Sequence, residues 1–262
     1  MIYFSDLDRT IICSKKLITK EDNAICIESI DGEDISFISN EILNSLKILN
    51  LEKVFIPTTT RSVQQFKRIE FNKFGLDFKY AITSNGACIL KDGIPLESWK
   101  KEINKIKSNS TSMDEIINKY ENDFEKYIAE YIQKFRVVED NFFYFVLKKE
   151  FVQNIEFLND FIEYTSSNGW DYYKNCSKVY FLPKGMTKEN AVKFLIKNEL
   201  NTETISALGD SCMDAGMLSI ANKAYVPKHG DISSTFKHDN LYVSNEIGLK
   251  GIHEILKTIL ED

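Results

Sequence analysis

The chain has 262 residues, enough to bury a sizeable core as one large domain or two modest ones. Hydrophobic residues make up 43% and charged residues 27%, and the net charge of -6 with scattered Lys and Arg argues against nucleic acid as a partner. Cys13, Cys26, Cys88, Cys176 and Cys212 form no CxxC pair, no apolar run approaches a membrane span and no basic leader is visible, so reduced thiols in a cytoplasmic protein without a membrane partner are expected.

Ile2-Tyr-Phe4 is a short apolar run that reads as a buried strand and feeds straight into Asp6 and Asp8. Ile25-Cys-Ile27 and Ile35-Ser-Phe-Ile38 flank Asp31-Gly32, a hairpin signal. Ile42, Leu46 and Leu49 have helical spacing behind a Ser39 cap. Val54-Phe-Ile56 is the next strand, ending in Pro57-Thr-Thr-Thr-Arg61, and Ser62 caps a helix expected to reach about Phe74. Tyr80-Ala-Ile82 is a third core strand, ending in Thr83-Ser-Asn-Gly86. This alternation predicts an α/β fold with a doubly wound, mostly parallel sheet.

The pattern then changes. A charged amphipathic helix is expected from about Ser110 to Gln133, followed by strands Phe135–Val138 and Phe142–Leu147 around a turn at Glu139-Asp-Asn141. A helix from about Phe151 to Ser166 and a second hairpin, Gly169–Tyr173 with Lys178–Leu182, complete an α+β insert with an antiparallel sheet. From Thr187 the α/β rhythm resumes with a helix to about Asn198, strand Thr204–Leu208, a helix from Asp214 to Ile220 and strand Ala224–Val226. Leu241–Val243 precedes a last helix, Leu249 to Leu260. The expected organisation is a core of residues 1–86 and 183–262 interrupted by an inserted cap, residues 87–182.

Residues two apart on an extended chain share a side, so Asp6 and Asp8 are expected to converge at the carboxyl end of their strand, where parallel sheets place ligands. Two such carboxylates repel unless a cation or a shared proton compensates. Other predicted strand ends carry complementary groups: Thr58-Thr-Thr60 with Arg61, Lys188 at the start of a helix, and Gly209-Asp210-Ser211 with Asp214. Carboxylates, a hydroxyl, an ammonium and a second acidic loop are the parts needed for phosphoryl transfer through a divalent cation. His229, His238 and His253 form no ligand pattern and are expected at the surface. Phe142-Phe-Tyr-Phe145 is expected in the core of the insert's sheet, and Trp170, Tyr172 and Tyr173 are candidates for a substrate-facing surface.

The ordered set resembles the haloacid dehalogenase (HAD) superfamily of phosphohydrolases, in particular its Cof-like and sucrose-phosphatase-like branch with a large α+β cap after the second motif. Asp6-Leu-Asp-Arg-Thr10 is similar to the first motif, and Thr58-Thr-Thr-Arg61 to the Ala-Thr-Gly-Arg second motif, with Thr59 as its threonine. Ser84-Asn-Gly-Ala87 matches the stretch that enters the cap. Leu182-Pro-Lys-Gly-Met-Thr-Lys188 resembles the third motif and Leu208-Gly-Asp-Ser-Cys-Met-Asp214 the fourth. The resemblance implies a Mg²⁺-dependent phosphatase that hydrolyses a small phosphorylated metabolite, with a sugar phosphate as the implied substrate class, through an aspartyl-phosphate. In that scheme Asp6 attacks phosphorus, and Asp8 protonates the leaving oxygen and then activates water. Asp6, the backbone carbonyl of Asp8 and Asp210 hold the metal, with Asp214 as a ligand or its support. Thr59 and Lys188 hold the phosphoryl group, Lys184 being a competing position for the motif lysine. Arg9, Arg61 and Asn85 are candidate substrate contacts, and the cap closes over the strand ends, excludes water and sets substrate choice. A phosphotransferase or phosphomutase, and a phosphate-ester-binding module without turnover, are alternatives that keep the same motifs; no oligomeric state is implied. The chain departs from the family pattern at Arg9 and Thr60, where Gly is usual, at Met213, where Asn is usual, and around Pro227-Lys-His-Gly230, which lacks a Gly-Asn-Ala stretch.

Overall fold

The computed structural model describes residues 1–202 and 204–261. It divides into two compact units, Met1–Leu96 with Lys188–Asp262, and Glu97–Thr187.

In the first unit, β1 (Ile2–Ser5) is buried along its whole length, as a strand covered on both faces must be. The hairpin of β2 (Ala24–Ile30) and β3 (Glu33–Ser39) turns at Asp31 and Gly32, whose φ of 52° and 82° are the left-handed pair that a tight turn requires. Helix α1 (Asn40–Glu52) begins where the Ser39 hydroxyl accepts the Ile42 N–H at 3.3 Å. After β4 (Val54–Pro57), α2 (Val63–Lys67) starts at a reciprocal Ser62–Gln65 capping box but stops well before Phe74. The helix ends because Glu70 donates its N–H to Ile27 of the hairpin (2.9 Å), so only a 3₁₀ turn covers Phe71–Phe74. Strand β5 (Tyr80–Thr83) is buried as expected, yet it pairs antiparallel with β6 (Cys88–Lys91), which carries β7 (Ile94–Pro95). Positive φ at Ser84, Asn85 and Gly86 reverses the chain at once, and β5 is joined to the end of β4 by the bridge of Thr58 to Ile82.

The second unit begins with α3 (Glu97–Ser108), which the sequence reading did not anticipate because it buries only Trp99 and Ile103. The single helix expected from Ser110 to Gln133 is broken into α4 (Met113–Lys119), a π turn at Tyr120–Phe124 and α5 (Glu125–Ile128). Ile132 and Gln133 already belong to β8 (Ile132–Val138), which pairs with β9 (Phe142–Leu147). The following helix, α6 (Asn159–Ser167), starts later than Phe151 because two 3₁₀ turns, Lys149–Phe151 and Glu156–Leu158, come first. Strands β10 (Trp170–Asn175) and β11 (Lys178–Pro183) complete an antiparallel sheet of order β10-β11-β9-β8. Phe143 and Phe145 on β9, Phe181 on β11 and Phe161 on α6 form its aromatic core. Trp170 belongs to that core rather than to a substrate-facing surface: it is 2% exposed, packs on Phe143 and donates its indole N–H to Thr111. Tyr172 is exposed and Tyr173 half-buried.

The first unit resumes with α7 (Lys188–Leu195), β12 (Ile205–Leu208), α8 (Ala215–Ser219), β13 (Lys223–Val226), β14 (Leu241–Val243) and α9 (Gly248–Glu261). Its central sheet has the order β14-β13-β12-β1-β4, with every pair parallel. Helices α1 and α9 pack with Tyr3, Leu7 and the Asp31 hairpin's Ile27 and Ile38 into one core. The chain leaves β1 towards β4 on one side and returns through β12 on the other, so the loops after these three strands share the carboxyl edge of the sheet. Among the described residues, no helix is long and apolar enough to cross a membrane.

Phe161→Ala should destabilise the second unit by about 3–5 kcal/mol through a cavity among the rings of Tyr120, Phe124, Phe143, Phe145 and Phe181. Tyr127→Ala, at a side chain 65% exposed, should stay within about 0.5 kcal/mol. Chemical denaturation of both variants checks this, and equal losses would refute the core assignment.

Candidate active site

The end of β1 is gripped from both sides. Asp6 donates its N–H to Leu208 of β12 (2.9 Å), and Thr58 donates to Ser5 (2.6 Å). Beyond Ser5 the backbone is no longer strand, because the amides of Thr10, Ile11 and Ile12 all turn back to the Leu7 carbonyl. Asp6 and Asp8 each take an ion pair of their own. Asp6, buried, accepts the Lys188 ammonium at 2.6 Å. Asp8, its side chain 48% exposed, receives the Arg61 fork, with Nε and Nη2 each 2.7 Å from a carboxylate oxygen.

Lys188 opens α7 and is 1% exposed, its ammonium held between Asp6 and Asp214 at 2.6 Å from each. Burial alone would lower its pKa, but the two carboxylates outweigh burial and hold it above the usual lysine range. Lys184, the competing position, is exposed.

The loop after β12 is organised by Asp214. Its Oδ2 accepts the N–H groups of Asp210 (3.1 Å) and Ser211 (3.0 Å) and the Ser211 hydroxyl (2.9 Å), while Oδ1 faces Lys188. Gly209 is required there: a Cβ would stand 2.4 Å from Asp214 Cβ. Asp6, Asp210 and Asp214 each offer a carboxylate oxygen, all within 4.8 Å of one another. Oδ2 of Asp210 is buried and makes no hydrogen bond among the described residues; its neighbour is Arg9 Nε at 3.1 Å, an ion pair without hydrogen-bond alignment. Burial, Asp6 and Asp214 push Asp210 up to about 9, against Arg9 and Lys188. Burial pushes Asp6 up to about 7; Lys188 opposes the shift, and Asp214 and Asp8 add to it. Oxygen donors so short of positive charge suit a hard divalent cation such as Mg²⁺.

Arg9 adopts φ 63°, a left-handed conformation natural to glycine and strained for other residues. Its surroundings hold it there. Its N–H bonds Ile12 (2.7 Å), and its guanidinium reaches the His229 carbonyl and Asp231 (3.0 Å). His229 Nδ1 accepts the Gly248 N–H (3.1 Å), which leaves the proton on Nε2 to be donated to the Arg9 carbonyl (2.8 Å). His229 is thus a partly buried brace for Arg9 rather than a surface histidine; its place just beyond β13, near the strand ends, was the available signal.

Thr59 is fully buried and donates its N–H to Ile82 (2.8 Å), and its hydroxyl accepts the Arg61 N–H (3.2 Å). Asn85 is buried and donates its N–H to the Thr59 carbonyl (3.0 Å), and Ser84 donates to the Arg61 carbonyl (2.6 Å), which staples the loops after β4 and β5 together. Arg61 is 12% exposed, and its guanidinium is taken by Asp8, Glu28 and Ser36. Glu28, unnoticed in the sequence, is a buried acid in a strand; nothing in its spacing marks it.

The chain matches the family model described as sucrose-6F-phosphate phosphohydrolase over residues 1–257. No curated protein sequence matches it. Among solved structures it resembles the sucrose-phosphatase of a Synechocystis species in complex with sucrose and phosphate, at TM-score 0.70 and 13% identity over 100% of this chain and 97% of that one. A trehalose-6-phosphate phosphatase related protein matches at TM-score 0.60 and 15% identity, covering 99% and 96% of the two chains. A haloacid dehalogenase-like hydrolase from Bacillus subtilis matches at TM-score 0.57 and 16% identity, covering 98% and 91%. At these identities the structural likeness is one of fold.

A carboxyl held above its unfolded value keeps its proton while the unfolded chain loses it. Stability should therefore fall as pH rises from 3.8 towards the value of about 9 at Asp210. In chelating buffer, Asp210→Asn should melt higher than the parent at about pH 8, with the difference vanishing near about pH 4. A lower melting temperature at the higher pH would mean that the Arg9 pair outweighs burial.

Proposed function

The chain belongs to the sucrose-6F-phosphate phosphohydrolase family and is a HAD-type phosphoric monoester hydrolase; on that premise we propose Mg²⁺-dependent hydrolysis of a small sugar phosphate through an aspartyl-phosphate on Asp6. The observation that carries the reading is the buried cluster of Asp6, Asp210 and Asp214 around Lys188, with half-exposed Asp8 beside it. Asp6 and Asp210, with the Asp8 carbonyl, would hold the ion, and Asp214, occupied by four protein donors, fixes the loop that presents Asp210. When bound, the ion supplies the positive charge that lets a carboxylate approach an anionic phosphate.

Asp6 attacks phosphorus as the phosphorus–oxygen bond to the leaving group breaks, and Asp8 gives a proton to the departing oxygen. Asp8 then takes a proton from the water that hydrolyses the aspartyl-phosphate. Lys188 stays charged throughout and, with Thr59, contacts the phosphoryl oxygens. Sugar phosphates as the substrate class are supported by two relatives, one holding sucrose and phosphate and one related to a trehalose-6-phosphate phosphatase.

Asp6→Asn should lower turnover of every ester by at least about a thousandfold. With p-nitrophenyl phosphate, whose leaving group needs little protonation, Asp8→Asn should still form the aspartyl-phosphate and release a burst of nitrophenolate that Asp6→Asn lacks. Stopped-flow absorbance checks both. A folded protein inert with Mg²⁺ across sugar and aryl phosphates would overturn the reading.

A further inference from the structure

We propose that Glu28, on the β2–β3 hairpin, is a positioning residue for the water-activating step: it holds the Arg61 guanidinium so that its other edge fixes Asp8, an assignment that rests on the role given to Asp8 above. The hairpin is built to deliver this side chain. Cys26 lies opposite Phe37 and Glu28 opposite Ser36, with register shifts on both sides of Glu28. In a regular strand Ile27 and Glu28 would face opposite ways; the bulge lets both be buried.

The Glu28 side chain is 0% exposed and accepts three donors, the Ser36 hydroxyl (2.6 Å), Arg61 Nη1 (2.7 Å) and Arg68 Nε (2.8 Å). Ser36 also accepts from Arg61 Nη2 at 3.1 Å. The other edge of the Arg61 guanidinium, Nε and Nη2, forms the fork on Asp8. A guanidinium is planar, so gripping it along one edge fixes the plane and position of the other. The charges balance, two carboxylates (Asp8, Glu28) against two guanidiniums (Arg61, Arg68). Burial opposes ionisation of Glu28, but Arg61, Ser36 and Arg68 outweigh it and hold its carboxyl below the usual range. Apolar residues commonly replace a buried ion network without loss of stability, so the network's distinctive product here is a fixed geometry. Asp8 lies outside the strand with half its side chain in solvent, and the Arg61 fork selects one of its rotamers.

The test uses p-nitrophenyl phosphate, whose first chemical step needs little help from Asp8. If Glu28→Gln slows only the attack of water on the aspartyl-phosphate, kcat and KM should fall together, about tenfold or more, with kcat/KM within about threefold of the parent. A burst approaching one nitrophenolate per active site should accompany this, as in Asp8→Asn. Arg68→Gln, which removes a contact to Glu28 but none to Asp8, should lower the melting temperature without producing a burst. Should Glu28→Gln fail to fold, Ser36→Ala carries the same readout, with a smaller fall in kcat and KM and a detectable burst. A fall in kcat/KM without a burst, or an unchanged Ser36→Ala, overturns the proposal. A burst in Asp8→Asn but not in Glu28→Gln overturns it alone; no burst in Asp8→Asn overturns the reading of Asp8 and this inference with it.

Discussion

A buried lysine shared by two carboxylates organises the first unit. Lys188 has almost no contact with solvent, and a lone ammonium there would shed its proton; Asp6 and Asp214 keep it charged, and it keeps them close. The three groups come from the end of β1, the start of α7 and the loop after β12, so the ion pairs tie together elements far apart in the chain. Asp214 then spends its second oxygen on the backbone of Asp210 and Ser211. That leaves Asp210 Oδ2 without a hydrogen bond among the described residues, and Asp6 and Asp210 together make a local excess of negative charge that burial makes unfavourable and a divalent cation would relieve.

The unusual Arg9 fits the same logic. Arginine in a left-handed conformation costs backbone energy, and the neighbouring loop compensates with hydrogen bonds in both directions between Arg9 and His229 and an ion pair to Asp231. Its guanidinium meanwhile lies against Asp210 and offsets part of the cluster's charge. The departure from glycine is thus accompanied by a brace after β13, in the stretch that also departs from the family pattern.

Two guanidiniums take acidic residues of different loops. Arg9 faces the buried side, with Asp210, while Arg61 faces the solvent side, with Asp8, and is itself anchored on Glu28. The hairpin between the first motif and α1 thereby becomes part of the site's scaffold, and it is tied to the segment after α2 by the Glu70–Ile27 hydrogen bond as well as by Arg68.

Much of this was readable in the chain. Short apolar runs located β1, β4, β12 and β13, and helical apolar spacing located α1, because these patterns are local. Asp31-Gly32 announced its hairpin, and the loop residues Asp6, Thr59, Lys188, Asp210 and Asp214 stood out because polar groups at buried strand ends need a reason. What only the tertiary structure decided depends on partners distant in sequence. The long helix after Ser110 breaks because packing on an aromatic sheet outweighs weak helical periodicity, and α2 stops where Glu70 finds a hairpin carbonyl. Trp170 is core because Phe143 and the Thr111 carbonyl happen to meet it. Asp6 and Asp8 follow a strand that ends at Ser5, and each takes the cation that folding brings to it. Glu28 was invisible for the same reason: a glutamate in a strand reads as solvent-facing until a bulge turns it inward and two arginines, Arg61 and Arg68, arrive to meet its charge.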